Sequence, residues 1–174
     1  VPRHTDFADY ARPSFMREPT LLLAARDLMQ RIHREFTYET HSTEVNTPAR
    51  EALARRTGVC QDFAHIMIAC LRAYGLPARY VSGYLLTRPP EGKERLVGAD
   101  ASHAWLSVWM PGHGWIDLDP TNDLIPGREV VVASHNVDGR HHGPIEPPHD
   151  VLDILLESGN GRLRDDRCGT LTRR

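Results

Sequence analysis

Residues 58–77 decide the fold: GVCQDFAHIMIACLRAYGLP combines a turn, a helix start and a helix stop. After Gly58, apolar residues recur every three or four positions, which is typical of one buried helix face. These residues are Phe63, Met67, Cys70, Leu71 and Tyr74. Gly75 followed by Pro77 predicts the end of the helix. The sequence therefore predicts a short, central helix that begins at or just after Cys60.

The position of Cys60 at the start of this helix suits a nucleophile. The helix dipole and the free N–H groups of a first turn favour the thiolate, which is the reactive form of cysteine. The same N–H groups could stabilise an oxyanion. Cys70 lies farther along the helix and is expected to be a core side chain. Gln61 and Asp62 fall in the first turn, where they could contact substrate or favour the helix start.

Beyond Pro77 the apolar pattern changes to a period of two residues, which is typical of β-strands. Four segments fit this pattern: 78–86, 102–110, 114–119 and 129–133. The Pro-Gly-His-Gly connection between the second and third segments suits a turn and is too short for a parallel crossover. Because helices come first and strands follow, the sequence predicts an α+β fold with an antiparallel sheet.

Two residues on the predicted strands could assist a cysteine nucleophile. A thiol needs a base within hydrogen-bond reach, and that base needs an acceptor that orients it. Period two places His103 on the same strand face as Trp105. Asp119 ends the following strand, since Pro120 interrupts the ladder. If the two strands form one hairpin, His103 and Asp119 lie near the same end, where a hydrogen bond between them is possible, and both are the best candidates to assist Cys60.

Other side chains near this constellation leave alternatives open. Candidates for a substrate-lining wall, with apolar packing as the alternative for each, are Tyr84, Trp105 and Trp115. His65 is a rival base, but five residues of helix rotate it roughly 140° away from Cys60. A metal site is a further alternative, built from Cys60, His65, His103 and Asp119.

The N-terminal part of the chain contains two predicted helices. Residues 2–19 are polar and interrupted by prolines, and we expect them to form an arm on the surface. Thr20 is predicted to cap a packing helix. Thr47 and Pro48 are predicted to be the N-cap and first residue of a second, short helix, which Gly58 would end.

Composition bounds the class of protein. The chain has 174 residues, 40% of them apolar, a formal net charge of −2 and a pI near 6.6. These values are ordinary for one soluble globular unit and argue against a nucleic-acid partner, which normally requires a basic excess. No apolar run approaches the roughly 20 residues that span a bilayer, so no membrane partner is expected.

Cysteine usage favours a reducing compartment. The chain has three cysteines, which cannot all pair, and their spacing matches no zinc or redox motif. We therefore expect a cytoplasmic protein with free thiols. The chain begins at Val1 rather than a methionine, so a leader or an upstream domain could precede it.

Residues 135–174 differ from the rest because they contain no Phe, Tyr or Trp. They are predicted to form a flexible tail with one short helix over residues 150–157, outside a catalytic core that spans residues 1–134. Three tail histidines could bind a metal, although a solvated tail is the favoured interpretation: His141, His142 and His149.

Three blocks in this order resemble the transglutaminase-like superfamily, in particular its bacterial cysteine-protease-like branch. They are residues 58–65 (GVCQDFAH), 102–105 (SHAW) and 114–121 (GWIDLDPT), and residues 76–84 (LPARYVSGY) are also similar. The resemblance implies a papain-like α+β core, with the nucleophile at a helix N-terminus packed on the sheet. It assigns the nucleophile to Cys60, the base to His103 and the carboxylate to Asp119. Asp117 does not match the motif aspartate.

The resemblance also implies a reaction in which an amide becomes an acyl-thioester on the cysteine. With water as acceptor the enzyme would hydrolyse peptide or isopeptide bonds, and with an amine it would be a protein-glutamine acyl transferase. A non-catalytic binding module of the same fold is the third possibility. Hydrolysis of a protein or peptide substrate is favoured, because nothing in the chain resembles a calcium-binding loop. No cofactor is expected, and the sequence does not predict the oligomeric state.

Overall fold

In the described part of the chain, the helices precede the strands of the main sheet. The structure is a computed structural model that describes residues 4–40, 47–85, 102–126 and 130–135. In chain order the elements are α1 Thr5–Arg17, α2 Leu21–Glu35, β1 Thr37–Tyr38, α3 Ala49–Arg55, β2 Thr57–Gly58, α4 Cys60–Ala73, β3 Ala78–Leu85, β4 Ser102–Met110, β5 Gly114–Leu118 and β6 Val130–His135. This order confirms the predicted α+β class.

The main sheet has four strands in the order β5-β4-β3-β6, and every neighbouring pair is antiparallel. β4 and β5 form the predicted hairpin, in which Ser107 lies opposite Asp117 and Trp109 opposite Trp115. β6 begins at residue 130 rather than at the predicted residue 129, and it ends at residue 135 rather than 133. It thus extends one residue beyond the predicted end of the core at residue 134. The strand that carries His103 is therefore central, with a hydrogen-bonded neighbour on each side.

Helix α4 packs on one face of the sheet and forms the centre of the hydrophobic core. Alternate β4 residues, Leu106, Val108 and Met110, belong to this core and are at most 2% exposed. Full burial of one such side chain stabilises the fold by about 1.5–3 kcal/mol. The intervening residues Trp105 and Ser107 share the opposite strand face and are also fully buried.

The prediction of a surface arm over residues 2–19 is wrong, because residues 5–17 form helix α1. Its buried residues recur at helical spacing and pack on α2 and α4: Phe7, Tyr10, Ala11 and Ser14. The His4 side chain caps the helix by accepting a hydrogen bond from the Asp6 N–H group at 3.3 Å. Pro13 lies inside the helix, so the prolines that suggested an arm do not prevent it.

Helix α2 begins after Thr20, whose hydroxyl accepts from the Leu23 N–H group, and this confirms the predicted cap. The start of α3 was predicted one residue too early, since Pro48 and not Thr47 is its N-cap residue. The end of α3 also differs from the prediction. Arg56, in the left-handed conformation at φ 57°, follows the helix, while Gly58 lies in β2.

A short parallel pairing, not predicted from the sequence, joins β1 to β2. The Thr37 N–H group donates to the Arg56 carbonyl at 2.8 Å, and the Glu39 N–H group donates to the Gly58 carbonyl at 3.0 Å. These bonds hold the chain immediately before Cys60. A segment about 20 residues upstream thus holds in place the backbone that leads to Cys60.

The predicted tail helix, the three tail histidines and Cys168 lie outside the described residues. Within the described residues, no helix is both long and apolar enough to cross a membrane.

Candidate active site

Cys60 is the first residue of α4 and is half-buried. Val59 precedes it in extended conformation as the N-cap residue. Asp62, in the first turn of the helix, accepts a hydrogen bond from the Val59 N–H group through its carboxylate at 2.9 Å. Asp62 is only 6% exposed. The structure thus gives Asp62 the helix-start role that was one of its two predicted alternatives.

The turn before Cys60 accepts only a glycine without rearrangement. A Cβ atom on Gly58 would lie 2.7 Å from Oδ2 and 2.8 Å from Cβ of Asp62. Both distances are shorter than ordinary contacts, so an added methyl group would displace Asp62 from its cap. The position of the helix start therefore depends on the absence of a side chain at residue 58.

Gly58→Ala should lower the free energy of unfolding by about 1–3 kcal/mol and slow alkylation of Cys60. Urea unfolding and the labelling rate with iodoacetamide measure the two effects. Gly112→Ala is the matched control, because its Cβ would meet nothing within 4 Å, although its φ of +84° makes it strained. The control should lose stability and keep the Cys60 labelling rate, and a Gly58→Ala protein with normal stability and labelling would contradict this account.

His103 and Asp119 form a buried ion-pairing contact. His103 Nε2 lies 2.8 Å from Asp119 Oδ2, and neither side chain has exposed surface. Because a carboxylate only accepts hydrogen bonds, Nε2 carries the proton in this contact. In the neutral ring the lone pair then lies on Nδ1, which is buried and has no hydrogen-bond partner among the described residues. The contact therefore prepares Nδ1 to accept a proton.

The turn that follows β5 holds the Asp119 carboxylate. Asp119 Oδ1 accepts from the N–H groups of Thr121 and Asn122 at 2.9 and 3.3 Å. The Asn122 side chain donates to Oδ2 at 2.8 Å. Asn122 was not predicted from the sequence, although Asp-Pro-Thr-Asn is a typical turn sequence in which the Asp side chain caps the backbone. The turn that follows β5 thus also fixes the orientation of the Asp119 carboxylate.

The electrostatics of His103 favour its protonated form. Burial acts to lower the pKa of His103, but the hydrogen bond with Asp119 and the interaction with the Cys60 side chain outweigh it and raise the pKa to about 9. The structure therefore brings together the three side chains predicted from the sequence, while their catalytic roles remain predictions.

Two tyrosines near Cys60 were missed by the sequence analysis. Burial raises the pKa of Tyr38 and of Tyr80, and the charge of Cys60 contributes in both cases. Tyr38 lies opposite Gly58 in the β1–β2 pairing, which no periodicity in a two-residue strand could reveal. Tyr80 stacks on His65 with ring centroids 4.9 Å apart. His65 thus packs on β3, as its position on the helix suggested.

The remaining substrate-wall candidates fall in different places. Tyr84 is 56% exposed and pairs with Ser102, so its side chain lies on the sheet face opposite to that of His103. Gln61 is half-buried in the first turn of α4. Trp105 has no exposed surface, which favours the packing alternative given for it. Trp115 pairs with Trp109, six residues along β4 from His103 and thus about 20 Å away, so it does not line this site.

A metal centre finds no support in the described part of the chain. No group of three or more His, Cys, Asp or Glu side chains is arranged to hold a metal ion there. The alternative that combined His65 with Cys60, His103 and Asp119 is not formed, since His65 stacks on Tyr80.

The family model of the transglutaminase-like superfamily matches residues 9–120. An uncharacterized protein of Mycobacterium tuberculosis is 47% identical over 148 residues, which are 83% of this chain and 46% of that protein. A protein-glutamine gamma-glutamyltransferase of Pseudomonas aeruginosa is 35% identical over 131 residues, which are 73% of this chain and 19% of that enzyme. The chain thus spans less than half the length of these relatives.

Solved structures share the fold. A candidate cysteine protease from Cytophaga hutchinsonii superposes with a TM-score of 0.61 and 28% identity, over 76% of this chain and 42% of that chain. The periplasmic domain of TgpA from Pseudomonas aeruginosa gives a TM-score of 0.54 and 30% identity, over 71% of this chain and 47% of that chain. With its papain-like core and a family match over more than half its length, the chain belongs to the transglutaminase-like superfamily.

Proposed function

We propose that this protein is a thiol enzyme that converts an amide into an acyl-thioester on Cys60. One observation carries the proposal: a helix-initial cysteine interacts with a buried histidine whose Nε2 atom is 2.8 Å from a buried carboxylate. In this arrangement Cys60 is the nucleophile, His103 the base and Asp119 the residue that orients the base.

The proposed chemistry begins when His103 Nδ1 takes the proton of Cys60 Sγ. The thiolate attacks the amide carbonyl, and N–H groups at the start of α4, including that of Cys60, stabilise the oxyanion. The tetrahedral intermediate collapses when the imidazolium protonates the leaving nitrogen, which releases an amine or ammonia. An acceptor then attacks the thioester with His103 as base, which frees the acyl product and restores the thiol.

We infer that water is the acceptor and that the substrate is a peptide or isopeptide bond in a protein. The structural similarity to a candidate cysteine protease supports this choice. Transfer to an amine is the second candidate, because the chain is also 35% identical over 131 residues to a protein-glutamine gamma-glutamyltransferase. Both reactions share the thioester and differ only in what attacks it.

A partition assay separates the two reactions. A glutamine-containing peptide library is incubated with the protein and a labelled primary amine, and mass spectrometry measures free acid against amide product. We expect hydrolysis products to dominate even at millimolar amine, and to disappear in Cys60→Ala. Amine incorporation that far exceeds hydrolysis would replace the hydrolase proposal with the transferase.

The pH dependence of turnover should report on His103. Because its pKa is raised to about 9, the imidazolium that protonates the leaving group persists to that pH, and kcat/KM should fall as pH rises through about 9. In Asp119→Asn the favourable charge is lost and burial lowers the pKa, so the alkaline limb should move down by about 1–2 pH units. An unchanged alkaline limb in Asp119→Asn would contradict the assigned role of Asp119.

A further inference from the structure

A polar network centred on the half-buried Asp117 lies on the same strand face as His103 and takes no part in the proposed chemistry. Asp117 Oδ2 accepts a hydrogen bond from Nε1 of Trp105 at 3.0 Å, and Oδ1 accepts one from the hydroxyl of Ser107. Trp105 and Ser107 have no exposed surface. Without Asp117, two buried donors would lose their acceptor.

The sheet register explains how Asp117 is held. Asp117 lies directly opposite Ser107 and diagonal to Trp105, within reach of both side chains. Arg79 lies opposite Ser107 on the other neighbouring strand, and its positive charge interacts favourably with Asp117. The Arg79 guanidinium is itself stacked over Trp115 at 4.2 Å. Side chains on β3 and β4 thus hold the Asp117 carboxylate of β5.

Trp105 connects this network to His103. The two rings are stacked, with centroids 6.0 Å apart and planes inclined by 23°. An indole whose N–H group is bonded to a fixed carboxylate cannot turn over about its Cβ–Cγ bond without losing that bond. The hydrogen bond to Asp117 therefore sets the surface against which the His103 ring lies.

We propose that Asp117 is a positioning residue for His103: it fixes the Trp105 indole, which holds the imidazole in the orientation that presents Nδ1 to Cys60. This inference rests on the proposed function, in which His103 is the base. Asp119 restrains one edge of the imidazole through Nε2, and Trp105 restrains the tilt of the ring. Both restraints are needed, because a bond to a single ring atom leaves the plane free to pivot about it.

The effect of Asp117 on the reactivity of Cys60 should depend on pH. The charged groups that interact with His103 are Asp119 and Cys60. At acid pH a cysteine reacts quickly only when an aligned base takes its proton, whereas an unassisted cysteine thiol ionises by itself above about pH 8.5. A misaligned ring therefore slows labelling of Cys60 at low pH and spares it at high pH. A merely destabilised protein would lose both rates together.

The test measures iodoacetamide labelling of Cys60 at pH 6 and at pH 9.5 in folded variants. Asp117→Ala and Trp105→Phe should each slow labelling at pH 6 by about tenfold and leave the rate at pH 9.5 within about twofold. Because both remove the same bond, the double variant should lose no more than either single one. Ser107→Ala is the matched control, since it removes the other donor and keeps the indole bond, and its ratio of rates should match the wild type.

Equal rates at pH 6 in wild type and Trp105→Phe would overturn the proposal, as would a parallel loss at both pH values. If Asp117→Ala does not fold, Trp105→Phe decides the question alone, because it keeps an aromatic ring in the core. Failure of the proposed function is distinguishable: wild-type Cys60 labelling would then be independent of His103, and the inference about Asp117 would fall with it.

Discussion

Replacement of Cys60 by alanine should reduce amide turnover to background and abolish the covalent acyl-enzyme. The proposed reaction passes through a bond to Sγ, and no other described thiol can replace it. Loss of a nucleophile in a comparable catalytic unit costs about 10⁵–10⁶-fold in kcat. Rapid-quench mass spectrometry of the intact protein checks both effects, since the wild type should gain the acyl mass and the variant should not.

Cys70→Ala is the control for this experiment. Cys70 is fully buried in α4, and burial raises the pKa of its thiol to about 12, so it is not a thiolate at working pH. The variant should lose about 1 kcal/mol of stability for the vacated volume and keep its turnover. If Cys60→Ala retained wild-type turnover, the proposed nucleophile would be wrong and the chemistry would have to lie elsewhere.

His103→Ala should lower kcat by about 10²–10⁴-fold, because the variant loses both the base that activates Cys60 and the acid that protonates the leaving nitrogen. The buried Asp119 carboxylate also loses its protonated partner, so the variant should be less stable at neutral pH. Steady-state kinetics at several pH values, with the folded fraction measured by circular dichroism, separate the catalytic loss from the structural one.

His65→Phe tests the rival histidine. Phenylalanine keeps an aromatic ring against Tyr80, which His65 stacks on at 4.9 Å, and removes every titrating group at that position. Burial lowers the pKa of His65, so its neutral form dominates and a neutral replacement is a close match. Turnover should stay within a few-fold of wild type, and a loss as large as that of His103→Ala would move the role of base to His65.

Local patterns predicted the parts of this fold that depend on neighbours in sequence. The two-residue period of β4 and β5, with a turn between them, predicted a hairpin, and the hairpin brings together the strand ends that carry His103 and Asp119. The apolar stripe after Cys60 predicted α4 as the core helix. In both cases the periodic pattern lies within about a dozen consecutive residues, where periodicity is informative.

The parts that were missed depend on contacts distant in sequence. Helix α1 has its buried residues at helical spacing, yet Pro13 within it and the polar residues around it masked the pattern. The β1–β2 pairing joins two-residue strands, which are too short to show any period. Asp117 looked like an unmatched neighbour of Asp119, because a diagonal contact with Trp105 follows only from the register of the sheet.

The most direct test of the central claim is the pH dependence of Cys60 alkylation by iodoacetamide in the wild type and in His103→Ala. Peptide mass spectrometry reads the rate, with buried Cys70 as the internal control. The account predicts fast labelling of Cys60 well below pH 8, slow labelling of Cys70, and loss of the low-pH reactivity in His103→Ala. Labelling of Cys60 no faster than an ordinary exposed thiol, and unaffected by His103→Ala, would contradict it.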